Sequence, residues 1–269
     1  MKIYHNNKHA QFWESCKLDI IYTGDAKVGP EWTAGEVCSS FSRIYFITQG
    51  GGFITLNAET LPLEEGNIYI IPAGLTYSYY CTSQMQQLFF HVNVIHSSGL
   101  DLLQGQQHIF SQKITSKELQ IMQDMYHSDK MADAFRLQGI LAEVLAEYID
   151  RFCLAEQYGR EYSALVENIF RIARNPVDAR NNVKLLAQQL HVSVSTLSKK
   201  FRKETGMTPS GYLNQLIINR ACYLLHAEEY SIAKIAEQLG FADQFYFAKY
   251  FKRQMGVSPS VYKRQVRVG

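Results

Sequence analysis

Two kinds of hydrophobic pattern divide the chain. Up to about Gln112, apolar residues come in short β-branched or aromatic runs: Ile44 to Thr48, Phe53 to Leu56, Ile68 to Ile71 and Leu88 to Ile95. Gly50-Gly51-Gly52, Glu64-Glu65-Gly66-Asn67 and Pro72-Ala73-Gly74 separate them, so the pattern predicts strands joined by turns. Many short strands with no helix between them argue for a sandwich or a barrel. Tyr45, Tyr69, Tyr77, Tyr79, Phe89 and His91 alternate on or beside these strands, which allows several of them to face one cavity.

From about Ile114 the spacing becomes helical. One helix is predicted over Ser116 to His127 and a second over Ala132 to Phe152. The second places Leu137, Ile140, Leu141, Val144, Leu145, Tyr148 and Phe152 on one face, with Glu143, Glu147 and Asp150 off it. Part of that stripe is expected to pack on the barrel. The remainder is a candidate surface for a second copy of the chain, as an antiparallel helix pair. Tyr158-Gly159-Arg160 reads as a linker. The expected division is therefore residues 1–158 (barrel about 1–112, helices about 114–158) and residues 161–269.

The second part contains an internal repeat. A helix from about Tyr162 to Ala173 is followed by a unit over about 182–206 and another over about 231–256, each predicted as two helices and a tight turn. Ala187, Gln189 and Leu190 recur 49 residues on as Ala236, Gln238 and Leu239. Lys199, Phe201, Gly206, Pro209, Ser210 and Tyr212 recur 50 residues on as Lys249, Phe251, Gly256, Pro259, Ser260 and Tyr262. Thr208-Pro209 and Ser258-Pro259 supply an N-cap and an N1 proline. The turns differ: Gly240 tolerates a positive φ, whereas His191 at the matching place is strained if it adopts one. Tyr212 to Ala227 reads as a long helix holding the units at a fixed separation, as needed to reach successive major-groove segments about 34 Å apart. An ordinary helical hairpin with a solvated basic face is the plainer reading of either unit alone.

Charge separates the same two parts. The chain of 269 residues has a formal net charge of +2, but positions 160–269 hold 17 Lys+Arg against 8 Asp+Glu, and positions 1–159 hold 10 against 17. A basic terminal part on an acidic partner suggests that only the former meets a polyanion. The five cysteines, Cys16, Cys38, Cys81, Cys153 and Cys222, are scattered and form no Cys-x-x-Cys pair, which fits reduced thiols in a cytoplasmic protein. No stretch has the length of a transmembrane helix, and residues 1–10 lack a signal-peptide core.

Gly66-x5-Pro72-x-Gly74 resembles the second half-motif of the cupin barrel. The metal ligands of that family are missing: Phe53-Ile54-Thr55 follows the first turn, and Tyr77 stands where a histidine is usual. His91, His96 and His108 have no companion at metal-ligand spacing, so neither a metal nor another cofactor is expected.

The helical part resembles the AraC/XylS family of bacterial transcription regulators, specifically over Asn182 to Tyr262. The residues that carry the resemblance are Ala221, Leu224-Leu225, Ile232-Ala233-x-Ile235-Ala236, Gly240-Phe241, Phe247, Phe251-Lys252 and Gly256-x-x-Pro259-x-x-Tyr262. Ile217 replaces a commonly basic residue, removing a surface or phosphate-facing charge, and Phe245 replaces a small residue, altering groove contacts. The implied fold class is α+β: a cupin-like β-barrel with following helices, then an all-α domain of two helix-turn-helix units joined by a long helix.

By that resemblance the DNA-binding candidates are Ser195, Thr196, Ser198, Lys199 and Arg202 in the first unit. In the second they are Gln244, Phe245, Tyr246, Lys249, Lys252 and Arg253. Lys donates to guanine, Gln pairs with adenine and aromatic edges touch thymine methyls, while Arg202, Lys252 and Arg253 lie further along and suit phosphate. Tyr45, Tyr77, Tyr79, Phe89 and His91 are the candidate ligand-binding residues, suited to stacking and hydrogen bonding with a sugar-like molecule. The expected partners are double-stranded DNA, that small-molecule effector, a second copy of the chain and RNA polymerase, with no membrane. Two alternatives stand beside this: a metal-independent cupin-fold enzyme with a helical accessory domain, and a regulator that ignores ligands.

Overall fold

The computed structural model describes residues 16–39, 41–96, 99–152, 162–226, 230–255 and 257–268. Cys153, the linker Tyr158-Gly159-Arg160, Ala227 and Gly256 lie outside them. The strands are β1 (Cys16–Val28), β2 (Thr33–Cys38), β3 (Ser42–Leu56), β4 (Glu59–Glu64), β5 (Asn67–Ile71), β6 (Thr76–Tyr80), β7 (Met85–His96) and β8 (Phe110–Lys113). All pairings are antiparallel, in the order β1-β7-β3-β5-β8, with β4 and β6 on the far half of β3 and β2 on β6. Among the described residues no pairing joins β1 to β8, so the sheet rolls into a cupin-like barrel without closing.

The sequence pattern separates Ile44–Thr48 from Phe53–Leu56 by a glycine turn; the structure runs them together as β3. The glycines bend the strand from one set of neighbours to the other. Gly50 has φ +68°, and a Cβ there would stand 2.2 Å from the carbonyl oxygen of Gln84; one on Gly51 would stand 2.4 Å from that of Leu63. Only residues without side chains allow those strands so close.

Alternation along β3 and β7 sends side chains to two faces. Ile44, Phe46, Leu88, Phe90, Val92 and Val94 pack under α1 (Ser116–Tyr126) and α2 (Met131–Arg151). Thr115 starts α1 through a reciprocal cap with Glu118. The α2 stripe is consumed here: Leu137, Leu141, Val144, Leu145 and Tyr148 are buried in this cluster, and Ile140 and Phe152 pack partly against it. Burying each such large side chain contributes about 1.5–3 kcal/mol, and the Tyr148 hydroxyl also donates to the His108 carbonyl at 3.1 Å. Ile140 and Phe152 stay only half-buried, and Met131 and Phe135 of the same helix are exposed, so packing on the sheet uses most of the stripe but not every apolar position of the helix. The other sheet face, with Tyr45, Ile47, Ile54, Tyr69, Ile71 and Phe89, lines the inside of the roll.

The helical part comprises α3 (Ala164–Arg174), α4 (Val183–Gln189), α5 (Val194–Thr205), α6 (Pro209–His226), α7 (Ile232–Gln238), α8 (Gln244–Met255) and α9 (Pro259–Val268). It has two cores. Phe170, Leu186, Ala187, Leu197, Phe201 and Tyr212 belong to the first, and Ile235, Ala236, Leu239, Phe247 and Phe251 to the second. Helix α6 serves both: Tyr212 and Leu213 close the first, while Ile217, Ala221, Leu224 and Leu225 floor the second. Ile217 is 5% exposed, so it fills core and does not replace a surface charge as its sequence position suggested.

The two parts touch. Leu100, after β7, enters the first helical core and Phe41 enters the second. The Gln215 amide donates to the Gln104 side-chain oxygen at 3.2 Å.

Candidate DNA interface and ligand pocket

Each repeat unit is built by local capping around a small core. Asn182 accepts from the Leu185 amide at 3.0 Å and Ser231 from that of Lys234 at 3.1 Å, which starts α4 and α7. Ser193 accepts from the Thr196 amide at 3.1 Å, starting α5. At α8, one Asp243 oxygen accepts from both Phe245 N (2.8 Å) and Tyr246 N (2.7 Å). The turns superpose in character: Gly240 has φ +76° and His191 φ +53°. His191 thus takes the left-handed conformation with a side chain that disfavours it, as the repeat implied. Gly240 must be glycine for a second reason, since a Cβ would stand 2.2 Å from an Asp178 carboxylate oxygen.

These cores present the second helix of each unit outward. On α5, Leu197 and Phe201 are buried, while Ser195, Thr196, Lys199 and Arg202 are exposed and Ser198 is half-buried. On α8, Phe247, Tyr250 and Phe251 are buried, while Gln244, Phe245, Tyr246, Lys249, Lys252 and Arg253 are exposed. All eleven DNA-binding candidates therefore lie on two helices, ten of them exposed. Phe245 is 77% exposed, an apolar ring with no core to fill. The Thr196 hydroxyl is 2.8 Å from that of Ser193, so it is tied to the helix start. Tyr250 fixes α8 to the linking helix by donating to Asn214 at 2.8 Å, and burial pushes its own pKa up to about 12.

The inside of the roll holds a cavity of about 370 Å³, within the range of small-molecule sites. Tyr45, Tyr79, Phe89 and His91 line it. Tyr77 does not: it is buried behind the wall, with the Arg43 guanidinium 5.7 Å from its ring centre. Tyr69 is also part of the core, donating to the Pro62 carbonyl and accepting from the Glu64 amide, both at 3.0 Å. His96 and His108 stand elsewhere, beside Tyr162 and stacked on Phe152.

Several lining residues had no place in the sequence reading. Trp32 packs on Tyr79 at 4.3 Å between ring centres, and Phe41 stacks on His91 at 4.5 Å. Arg43 and Gln87 sit two positions before Tyr45 and Phe89 on the same strands, so period-two alternation alone sends them to the same face. Met255, Val257 and Tyr262 come from the second helix-turn-helix unit and its following helix. No local pattern could have placed them there, because their position depends on how the two parts dock.

The electrostatics of the cavity centre on Arg43. Burial works to lower its pKa, but the surrounding hydroxyls of Tyr77, Tyr45, Tyr79 and Tyr262 prevail and raise it. Burial likewise drives the Tyr45 and Tyr262 hydroxyls well above the ordinary phenol value. Arg43 therefore keeps its charge, and Tyr45 and Tyr262 their protons, throughout physiological pH.

Comparisons with known proteins match this geometry. A helix-turn-helix domain family matches residues 186–265. The Msm operon regulatory protein of Streptococcus mutans is 28% identical over 261 residues, covering 93% of this chain and 94% of its own. The transcriptional activator RhaR of Cronobacter sakazakii is 25% identical, covering 88% and 89%. Among solved structures, unsaturated fatty acid bound ToxT from Vibrio cholerae superposes with a TM-score of 0.56 at 15% identity, covering 97% of each chain, a likeness of fold.

Proposed function

We propose that this chain, a member of the AraC/XylS family of transcription regulators, reads a specific DNA sequence through both helix-turn-helix units under control of a small molecule held in the rolled sheet. The chain is a regulator and not an enzyme. The observation that carries the DNA reading is the pair of matched helices, α5 and α8, each turning its first-turn side chains and its cations to the outside. Ser195, Ser198 and Lys199, with Gln244, Phe245, Tyr246 and Lys249, are the base-edge contacts of the proposal. Arg202, Lys252 and Arg253 are its phosphate contacts.

The effector part rests on the cavity. Rings of Trp32, Tyr45, Tyr79 and Phe89 offer stacking faces, and hydroxyl, amide and imidazole groups offer hydrogen bonds, a combination suited to a sugar or related metabolite. The proposal includes a cytoplasmic homodimer on DNA, with RNA polymerase as the downstream partner. Two copies would set four reading helices along one duplex.

Electrophoretic shift on DNA from around the protein's own gene, with and without sugars and their derivatives, tests the proposal. A retarded complex that survives excess unrelated DNA and responds to one compound is expected. Equal retention of every sequence would overturn the reading, and sedimentation of one chain per site would remove the dimer from it.

A further inference from the structure

The cavity contains a cation without an ion-pair partner and a buried acceptor without a donor among the described residues. Arg43 lies on β3 with its guanidinium 5.0 Å from the Phe41 ring centre and 5.7 Å from that of Tyr77. Among the described residues no ion pair reaches it, and the tyrosines Tyr77, Tyr45, Tyr79 and Tyr262 are the neighbours that act on it most strongly. Arg43 is half-buried and reaches the cavity, and a guanidinium so placed ordinarily meets a carboxylate or phosphate, because ring faces do not accept from its N–H donors. Gln87 supplies the second group. It is 4% exposed, lines the same cavity, and its side-chain oxygen is buried with no hydrogen-bond partner among the described residues. An orphaned buried acceptor costs about 1–3 kcal/mol unless something donates to it.

Together the two groups describe the molecule that would satisfy them. It carries a negative charge for Arg43, a hydroxyl that donates to Gln87, and an apolar ring face for Trp32 and Phe89. We infer that the cavity binds a hydroxylated organic anion, a sugar phosphate or a sugar acid, with its anionic group on Arg43 and a hydroxyl on Gln87. This rests on the effector reading above and narrows its ligand class. Neutral sugars satisfy only the Gln87 half of the site. Anions without hydroxyls satisfy only the Arg43 half.

Calorimetric titration of the full chain with matched triples tests it: a hexose, its 6-phosphate and its aldonic acid, across several hexoses, with inorganic phosphate as the bare anion. The expected result is that at least one charged member binds ten times or more tightly than its neutral parent. The phosphate and acid arms separate the two sources of charge. Arg43→Met should erase the difference between charged and neutral members, and Arg43→Lys should restore part of it. Gln87→Leu should weaken the charged sugar while leaving inorganic phosphate unchanged, which a general loss of folding would not do. Tight binding of a neutral sugar with no charged preference would overturn the anion inference while the effector reading stands. Failure of every compound to bind the folded protein would overturn both.

Discussion

Replacing Arg202 and Lys252 together by alanine isolates the phosphate-contact part of the proposal. The internal repeat makes them equivalents: each directly follows the buried phenylalanine, Phe201 or Phe251, that anchors its helix. Both are exposed, and neither has an ion-pair partner among the described residues, so their loss leaves no buried group unsatisfied. Each cation that neutralises one phosphate contributes about 0.9 to the slope of log affinity against log salt. The double variant should therefore flatten that slope by about 1.8. Between about 50 and 200 mM salt, this makes the wild-type advantage shrink by roughly twelvefold. Fluorescence anisotropy with a labelled operator and a scrambled duplex, each titrated at four salt concentrations, measures it. The loss should be the same factor on both duplexes. An unchanged slope, or a loss confined to the operator, would refute the assignment of these two residues to phosphate.

Lys199→Ala is expected to behave differently, altering operator preference by roughly tenfold at one base position with little effect on the scrambled duplex, as a base-edge contact requires; selection from a randomised operator library reads it. Gly240→Ala should destabilise the protein by about 1–3 kcal/mol, combining a positive φ with a clash against Asp178. His191→Gly at the matching turn should be neutral or stabilising, so thermal unfolding of the pair tests whether the turns are conformational equivalents. Asp101 gives a pH signature: burial pushes its pKa up to about 7, although amides such as Leu103 N at 2.8 Å work to lower it. Unfolded, it titrates near 3.8. The folded state therefore holds the extra proton between the two values, and stability falls as pH rises from about 4 to 7, by up to about 4 kcal/mol. Asp101→Asn should remove most of that slope in urea unfolding; an identical slope would show that the carboxyl is ionised when folded.

The helical part was legible because its signals are local. The caps at Thr208 and Ser258, the prolines that follow them, and the buried spacing of Leu197–Phe201 and Phe247–Phe251 all act within one or two turns. The sheet was less so. Strands β1, β2 and β4 are mostly half-exposed and lack clean alternation, so nothing in their composition sets them apart from loops. The glycine run misled for a physical reason: turns and close strand crossings both demand residues without Cβ, and only the neighbours Gln84 and Leu63 reveal which applies. Ile217 misled similarly, since a helix that floors a core and one that faces DNA show the same apolar spacing until the partner surface is known.

The least legible feature is the one with most bearing on control. Met255 is the last residue of α8, whose first turn carries Gln244, Phe245 and Tyr246. A helix of this length moves as a unit, so the cavity wall and the reading surface are two ends of one body about 15 Å apart. If the effector sits in the cavity, part of what it touches belongs to the DNA reader: Met255, Val257 and Tyr262. Any arrangement in which the helical part swings away removes those contacts and binds the effector less well. The effector must then favour the docked arrangement, by a factor set by those three residues alone. Linkage makes this reciprocal: operator DNA has to change effector affinity by the same factor that effector changes DNA affinity. Tyr262→Phe and Met255→Ala should reduce that shared factor, and a coupling left at its wild-type size in both variants would mean that the signal travels by another route.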